Sequence, residues 1–367
     1  MRVMYDFQIF NRMEYGGISR YFYELTKYLS AKQICEVKII APIYINKYIN
    51  NLNHDIVFGK CFQNIKRTHI IRRYINTLIT KMLLTRLNPD IIHETYYDFI
   101  KLSHRKPKIV TTLHDMIHEK YGQYFSPKDN TAFTKSKALN RADHIICVSE
   151  NTRKDLIELT NIHPSKTSVV YHGSSITKNE GAAAGKVFSR PYILWVGGYR
   201  HLAYKNFQRL VQAYATSKRL ARDFDLVCFG GNEFSSDELA LINRFGLTSN
   251  KVIQINGSDE ALSNLYSNAA AFIFPSLYEG FGIPLLEAMS CQCPIVCSNT
   301  SSMPEVAENA AEYFDPYLVD NIIEAMENVV YSVEKSNDLI SRGLVRIKYF
   351  SWEKCAQQTY AIYSSLL

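Results

Sequence analysis

Two carboxylates, Glu279 and Glu287, bracket a Gly-Phe-Gly-Ile turn in the stretch PSLYEGFGIPLLE, residues 275–287. The turn reads as opening a helix at Pro284, because proline suits the first helical position, where its missing N–H costs nothing. The amides around Gly282 and Ile283 are then expected to face outward as donors at the positive end of a helix dipole. A site of that kind takes phosphate groups. Glu287, expected in the first helical turn, reaches past the phosphates to hydroxyls, and Glu279 approaches from the other side. Diphosphate, ribose and sugar together describe a nucleotide-sugar.

Further groups belong with this chemistry. Arg200 and Lys205 follow the strand-like YILWVGG in the loop GGYRHLAYKN, where two cations five apart can clamp a diphosphate beyond a strand end. Two surface cations in a loop would look the same. His114 ends KIVTTLH and precedes Asp115; the carboxyl end of a strand suits a ligand-facing histidine, and a structural histidine bonded to Asp115 fits equally. His93 is a second candidate for the same cleft, and His118 reads as capping local structure. Gly16 and Gly17 precede a helix expected from near Ser19; taken alone they are a turn. Arg20 is either another anion contact or exposed face.

The elements that must position these residues alternate between strand and helix along the whole chain, which indicates parallel sheets covered by helices. Strands are expected near 2–8, 36–41, 90–93, 108–113, 144–148 and 167–171, then at 192–196, 225–229, 251–255, 271–274 and 294–298. Helical spacing occurs at 21–29, 70–84 and 152–159, then at 205–219, 236–245, 259–268, 284–291 and 319–332. A stretch of small and polar residues, 172–191, marks a boundary between two domains. A chain of 367 residues fits two domains of roughly 150–200 residues each.

The order and spacing of the motifs resemble the retaining glycosyltransferases of family 4. The resemblance rests on E-x7-E at Glu279 and Glu287 and on YDFQIFNRMEYGGISRYFYEL near the start. It continues through TLHDMIH, ADHIICVSENTRKDL, LWVGGYRHLAYKN and NGSDEALSNLYSNAAAFIFPS. It implies an α/β GT-B fold, two Rossmann-like doubly wound domains facing a central cleft. Residues 1–172 would form the acceptor-side domain, 173–190 a linker and 191–348 the nucleotide-sugar domain, with 349–367 a helix crossing back. It also implies that Arg200 and Lys205 hold the leaving diphosphate, that Gly17 approaches it, and that His114 lies near the transferred sugar. Glu279 would contact that sugar and Glu287 the ribose. The implied reaction moves a hexose from a nucleotide diphosphate sugar, GDP-mannose or a UDP-hexose, to a hydroxyl of a glycan or lipid-linked acceptor. Nucleotide-sugar 2-epimerases share the fold and are a rival reading; a non-catalytic anion- or membrane-binding module is another.

Asp223 and Asp225 have the D-x-D spacing that holds a divalent cation in other glycosyltransferases, but they precede a predicted strand, so no metal is expected. Cys291, Cys293 and Cys297 lack a nearby histidine and read as buried apolar residues, without zinc or disulfide. No basic-then-apolar leader and no long apolar run is present, so the chain is expected in the cytoplasm. Its formal charge of +7 is concentrated early: the segment 60–86 carries Lys60, Lys66, Arg67, Arg72, Arg73, Lys81 and Arg86 without an acidic residue. In this segment Ile71, Tyr74, Ile75, Leu78, Ile79 and Met82 share one helical face. Either that face turns to the core with the basic side in water, or the helix contacts the inner face of the cytoplasmic membrane. Nucleic acid is not an expected partner.

Overall fold

A computed structural model describes residues 1–65, 68–102, 107–178, 188–198, 200–248 and 250–367. The chain divides into two compact units, Met1–His172 with Trp352–Leu367, and Gly173–Ser351. Part of the connecting stretch, 179–187, and the basic residues Lys66 and Arg67 lie outside the described residues.

The first unit contains β1 (Arg2–Tyr5), α1 (Gly17–Ala31), β2 (Glu36–Tyr44), β3 (Val57–Cys61), α2 (His69–Leu87), β4 (Ile91–Glu94) and β5 (Lys108–Leu113). It continues with α3 (Ile117–Lys120), α4 (Thr131–Arg141), β6 (His144–Cys147), α5 (Glu150–Leu159) and β7 (Thr167–Val169). Its strands form a parallel sheet of order β3-β2-β1-β4-β5-β6-β7.

The second unit contains β8 (Tyr192–Val196), α6 (Phe207–Thr216), α7 (Lys218–Asp223), β9 (Asp225–Phe229), α8 (Ser236–Arg244), β10 (Val252–Ile255) and α9 (Asp259–Asn268). Then come β11 (Ala271–Phe274), α10 (Ile283–Ser290), β12 (Ile295–Ser298), α11 (Met303–Ala307), β13 (Ala311–Phe314), α12 (Val319–Val330) and α13 (Val333–Arg346). The sheet is again parallel, β10-β9-β8-β11-β12-β13. The terminal helix α14 (Trp352–Ser365) returns to the first unit, where Tyr363 joins its core. The architecture is that of two Rossmann-like units. In each sheet the chain order reverses beside the first strand, at β1/β4 and at β8/β11, and such switch points open space for ligands beyond the carboxyl ends of the strands.

Several elements differ from the sequence expectation. β3 and β13 are short edge strands, and neither VFGKC nor AEYF carries the apolar run that marks a buried strand. α4 and α13 are dominated by polar residues that hide their buried positions, Ala138 and Leu139 in one and Leu339 in the other.

The largest correction concerns α2. Its polar side faces the unit: Arg72, Asn76 and Thr80 are buried, while Ile70, Ile71, Tyr74, Leu78 and Met82 are 67, 62, 67, 53 and 65% exposed. Of the two sequence readings, the core-facing apolar stripe is therefore the one that fails. The reason lies in β2, where pairing with β3 shifts register between Ile40 and Ile43. The Asn76 amide fills the gap, its Oδ1 accepting from the Ile43 amide at 2.7 Å and its Nδ2 donating to the Ile43 carbonyl at 2.8 Å. Arg72 donates to Asn11 at 3.0 Å, and Arg73 holds Asp98 through two bonds of 2.9 and 2.8 Å.

Candidate active site

The site in the second unit is built on loops that leave β8 and β11, the two strands at its switch point. Gly282 takes a left-handed conformation, φ 96°, which glycine adopts without steric cost, and α10 begins at Ile283. Pro284 is thus the second helical residue and Glu287 the fifth. Glu287 lies in the second turn rather than the first, which corrects the sequence expectation. The Ile283 amide precedes the residues that can bond back within the helix, and Pro284 carries no N–H. Donors at this end face outward at the positive pole of α10.

Lys205 and Glu279 meet here. Lys205 closes a short 3-10 turn, Ala203–Lys205, ahead of α6 rather than sitting within it, and its Nζ donates to Glu279 Oε1 at 2.7 Å. Both side chains are about one-sixth exposed, at 17 and 16%. The pair is screened from bulk water yet still reachable.

Two sets of residues that sequence reasoning passed over fix this geometry. Asn206, left-handed at φ 57°, donates from Nδ2 to the carbonyls of Pro275 at 3.0 Å and Pro316 at 2.8 Å, and the Leu277 amide donates to Tyr204 O at 2.7 Å. The β8 and β11 loops are thereby sewn together. Ser301 Oγ accepts from the Glu279 amide at 2.9 Å, and Ser302 Oγ donates to the carbonyls of Glu279 and Phe281 at 3.0 and 2.9 Å. An asparagine directly after Lys205 was a visible signal for the first set; the serines act from 22 positions away and leave none.

Arg200 is not the free second cation of a clamp that the sequence suggests. It is buried, and its Nε donates to Glu238 Oε1 at 2.9 Å, its Nη1 to Gly230 O at 2.8 Å and its Nη2 to Asn232 O. Its guanidinium also stacks over Phe234 at 4.8 Å. Glu238 is itself the third residue of a capping box with Ser235 that starts α8. Gly231 sits in this corner at φ 77°, where an added Cβ would come within 2.8 Å of Gly198 O. Arg200 therefore shapes the loop after β9, and Lys205 is the cation presented with Glu279. Glu287 is buried on α10 and accepts from the buried Tyr266 hydroxyl at 3.1 Å.

The D-x-D pair lies at the amino end of β9. Asp223 accepts from Arg222 and from Tyr331 and is held near 2 by these partners; Asp225 pairs with Arg190 at 3.0 Å and Lys251 at 3.5 Å. Among the described residues no cluster of His, Cys, Asp and Glu could hold a metal ion. Cys291, Cys293 and Cys297 are free and buried.

In the first unit, Gly17 is the first residue of α1, two positions earlier than expected, and Arg20 donates to the Tyr48 hydroxyl at 2.7 Å. His114 follows β5. Its amide donates to Tyr97 Oη at 3.0 Å, and its ring meets Tyr21 edge-on at 5.7 Å and stacks on His172 at 6.2 Å. Burial pushes its pKa down to about 4, so the imidazole is neutral at physiological pH. Its Nε2 has no partner among the described residues. Asp115 beside it is engaged instead by the buried Lys135, at 3.3 Å.

His93 does not line a cleft. It is fully buried on β4, with Nδ1 bonded to Tyr363 Oη at 2.6 Å and Nε2 to Thr112 Oγ1 at 2.8 Å, and burial pushes its pKa down to about 3. His118 pairs with Asp129 at 3.7 Å and stacks on Phe125 at 4.0 Å.

The comparisons with known proteins agree with this architecture. The model for glycosyl transferases group 1 matches residues 178–345, and that for glycosyltransferase family 4 matches residues 15–178. The chain belongs to the family 4 glycosyltransferases and is a glycosyltransferase. It is 30% identical to the O-antigen chain mannosyltransferase B of Escherichia coli, over 95% of this chain and 96% of that one. It is 24% identical to the O-antigen chain mannosyltransferase RfbU of Salmonella typhimurium, over 90 and 92%. A sucrose-phosphate synthase from Thermosynechococcus elongatus superposes with a TM-score of 0.79 at 19% identity, covering 100% of this chain and 98% of that one.

Proposed function

We propose that the protein transfers mannose from GDP-mannose, with retention at the anomeric carbon, to a hydroxyl of a growing polysaccharide. The observation that carries this reading is the Lys205–Glu279 pair, held at 2.7 Å at the β8/β11 switch point just ahead of α10. The similarity to two O-antigen mannosyltransferases over nearly the whole chain supports mannose as the sugar.

In this reading the donor diphosphate sits against the Gly282 and Ile283 amides and Lys205 Nζ, which stabilise the charge that grows on the leaving group as the glycosidic bond breaks. Glu279 keeps Lys205 extended and accepts a hydrogen bond from a sugar hydroxyl, and Glu287 serves the ribose. Arg200 and Gly17 act on the diphosphate less directly, Arg200 through the loop it shapes and Gly17 as the start of α1. His114, neutral, offers its unpartnered Nε2 to a hydroxyl. The acceptor attacks from the face the nucleotide leaves, and the departing phosphate takes its proton.

No metal is required, since a cation and a helix end already face the diphosphate. The acceptor is a lipid-linked glycan, so the protein works in peripheral association with the inner face of the cytoplasmic membrane. The test is incubation with GDP-mannose and UDP-hexoses, with and without a glycan acceptor and with EDTA, followed by NMR of the product linkage. The expected result is acceptor-dependent, EDTA-resistant formation of an α-mannoside. A UDP-hexose preference, conversion of the donor without acceptor, or loss of activity in EDTA restored by magnesium or manganese would each contradict a part of it.

A further inference from the structure

Helix α2 presents its apolar side to solvent. At about 100° per residue, Ile70, Tyr74, Leu78, Ile71 and Met82 fall in one continuous sector, opposite the buried Arg72, Asn76 and Thr80. Lys81 falls at one margin of this sector and the exposed Arg86 just beyond the other. The preceding segment adds exposed Phe58, Phe62 and Ile65 and the exposed Lys60. A monomeric protein rarely leaves so many large apolar groups together in water.

We propose that this face of α2 is a docking surface for an anionic lipid bilayer, lying in the headgroup region with its axis along the membrane plane. The proposal rests on the peripheral placement argued above and assigns it to particular residues. Charge decides between occupants. Lys81 and Arg86 border this face and residues 60–86 include no carboxylate, so a second copy seated on this face would set cations against cations. A negatively charged headgroup layer complements both the apolar sector and its cationic margins, with the lysine and arginine stems lying along the acyl boundary. No helix of the described residues is long and apolar enough to cross a membrane, so α2 lies on the bilayer rather than spanning it.

The full-length protein is co-sedimented with phosphatidylcholine vesicles that contain or lack phosphatidylglycerol, at low and high salt. Wild type is expected to bind the anionic vesicles, with binding weakened by salt. Ile70→Gln/Tyr74→Gln/Leu78→Gln should lower binding roughly tenfold while leaving the melting temperature unchanged, since these positions are exposed. Lys81→Gln/Arg86→Gln should lower it about fivefold for each cation removed. Equal binding of wild type to both vesicle types, or none to either, overturns the peripheral placement and the docking surface together. Wild-type binding that the triple glutamine variant retains overturns the assignment to α2 alone. Concentration-dependent dimerisation in sedimentation velocity, abolished by that variant, would identify a second copy as the occupant and overturn the proposal.

Discussion

Helices α10 and α2 carry similar sequence signals and end in opposite arrangements. Both read as helices rich in apolar residues. α10 buries Leu285, Leu286, Ala288 and Met289 together with Glu287, while α2 buries Arg72, Asn76 and Thr80 and leaves its apolar side in water. Hydrophobic periodicity predicts which residues share a face, and not which face turns inward when a polar partner waits inside. In α2 that partner is the Ile43 peptide beside the register shift, whose N–H and C=O both bond the Asn76 amide and would be costly to bury unpaired.

The largest effect expected from breaking this contrast is at the α10 site. Lys205→Ala should lower the transfer rate about 100- to 1,000-fold, the loss typical of one preorganised charge contact, with little change in melting temperature. Rates within threefold of wild type, measured at saturating donor, would remove Lys205 from the diphosphate.

Asn76→Leu sharpens the comparison from the other side. It makes α2 more apolar, yet it strands both polar groups of Ile43 and should cost about 2–4 kcal/mol in urea unfolding. Leu78→Gln, on the exposed side, should stay within about 0.5 kcal/mol of wild type. A destabilising Leu78→Gln with a neutral Asn76→Leu would reverse the orientation described for α2.

A change at Arg200 should act more weakly on the chemistry than Lys205→Ala. Glu238→Gln weakens the Arg200 anchor and should raise the donor KM severalfold with kcat nearly unchanged. An equal fall in kcat would return Arg200 to the reacting diphosphate.

Acid provides a graded test of the first unit. His93 and His114 titrate near 3 and 4 when folded, below the ordinary 6.5, so between those limits the unfolded chain binds more protons. Stability should be full above about 6.5 and fall as pH drops toward 4. His93→Gln should flatten that slope, as followed by melting temperature against pH.

The parallel alternation, the two sheets and the 275–287 turn were legible because glycine, proline and short apolar runs act locally. The pairing of Lys205 with Glu279 was not, because they lie 74 positions apart and meet through loop bonds made by Asn206, Leu277, Ser301 and Ser302. The partners of Arg200 were hidden for the same reason. A loop arginine looks free until Glu238 and two carbonyls surround it. His93 looked like His114 because both stand at the end of an expected strand, and only the bonds to Tyr363 and Thr112 tell the one ring from the other with its open nitrogen.

We propose that the Lys205–α10 site holds a nucleotide by its second phosphate. Calorimetric titration of GDP against GMP, and of UDP against UMP, in EDTA tests it most directly. The preferred diphosphate should bind at least about tenfold tighter than its monophosphate, a difference of roughly 1.4 kcal/mol, and Lys205→Ala should abolish this margin while sparing the monophosphate. Equal affinity for the two, or a margin that appears only with added metal, would contradict it.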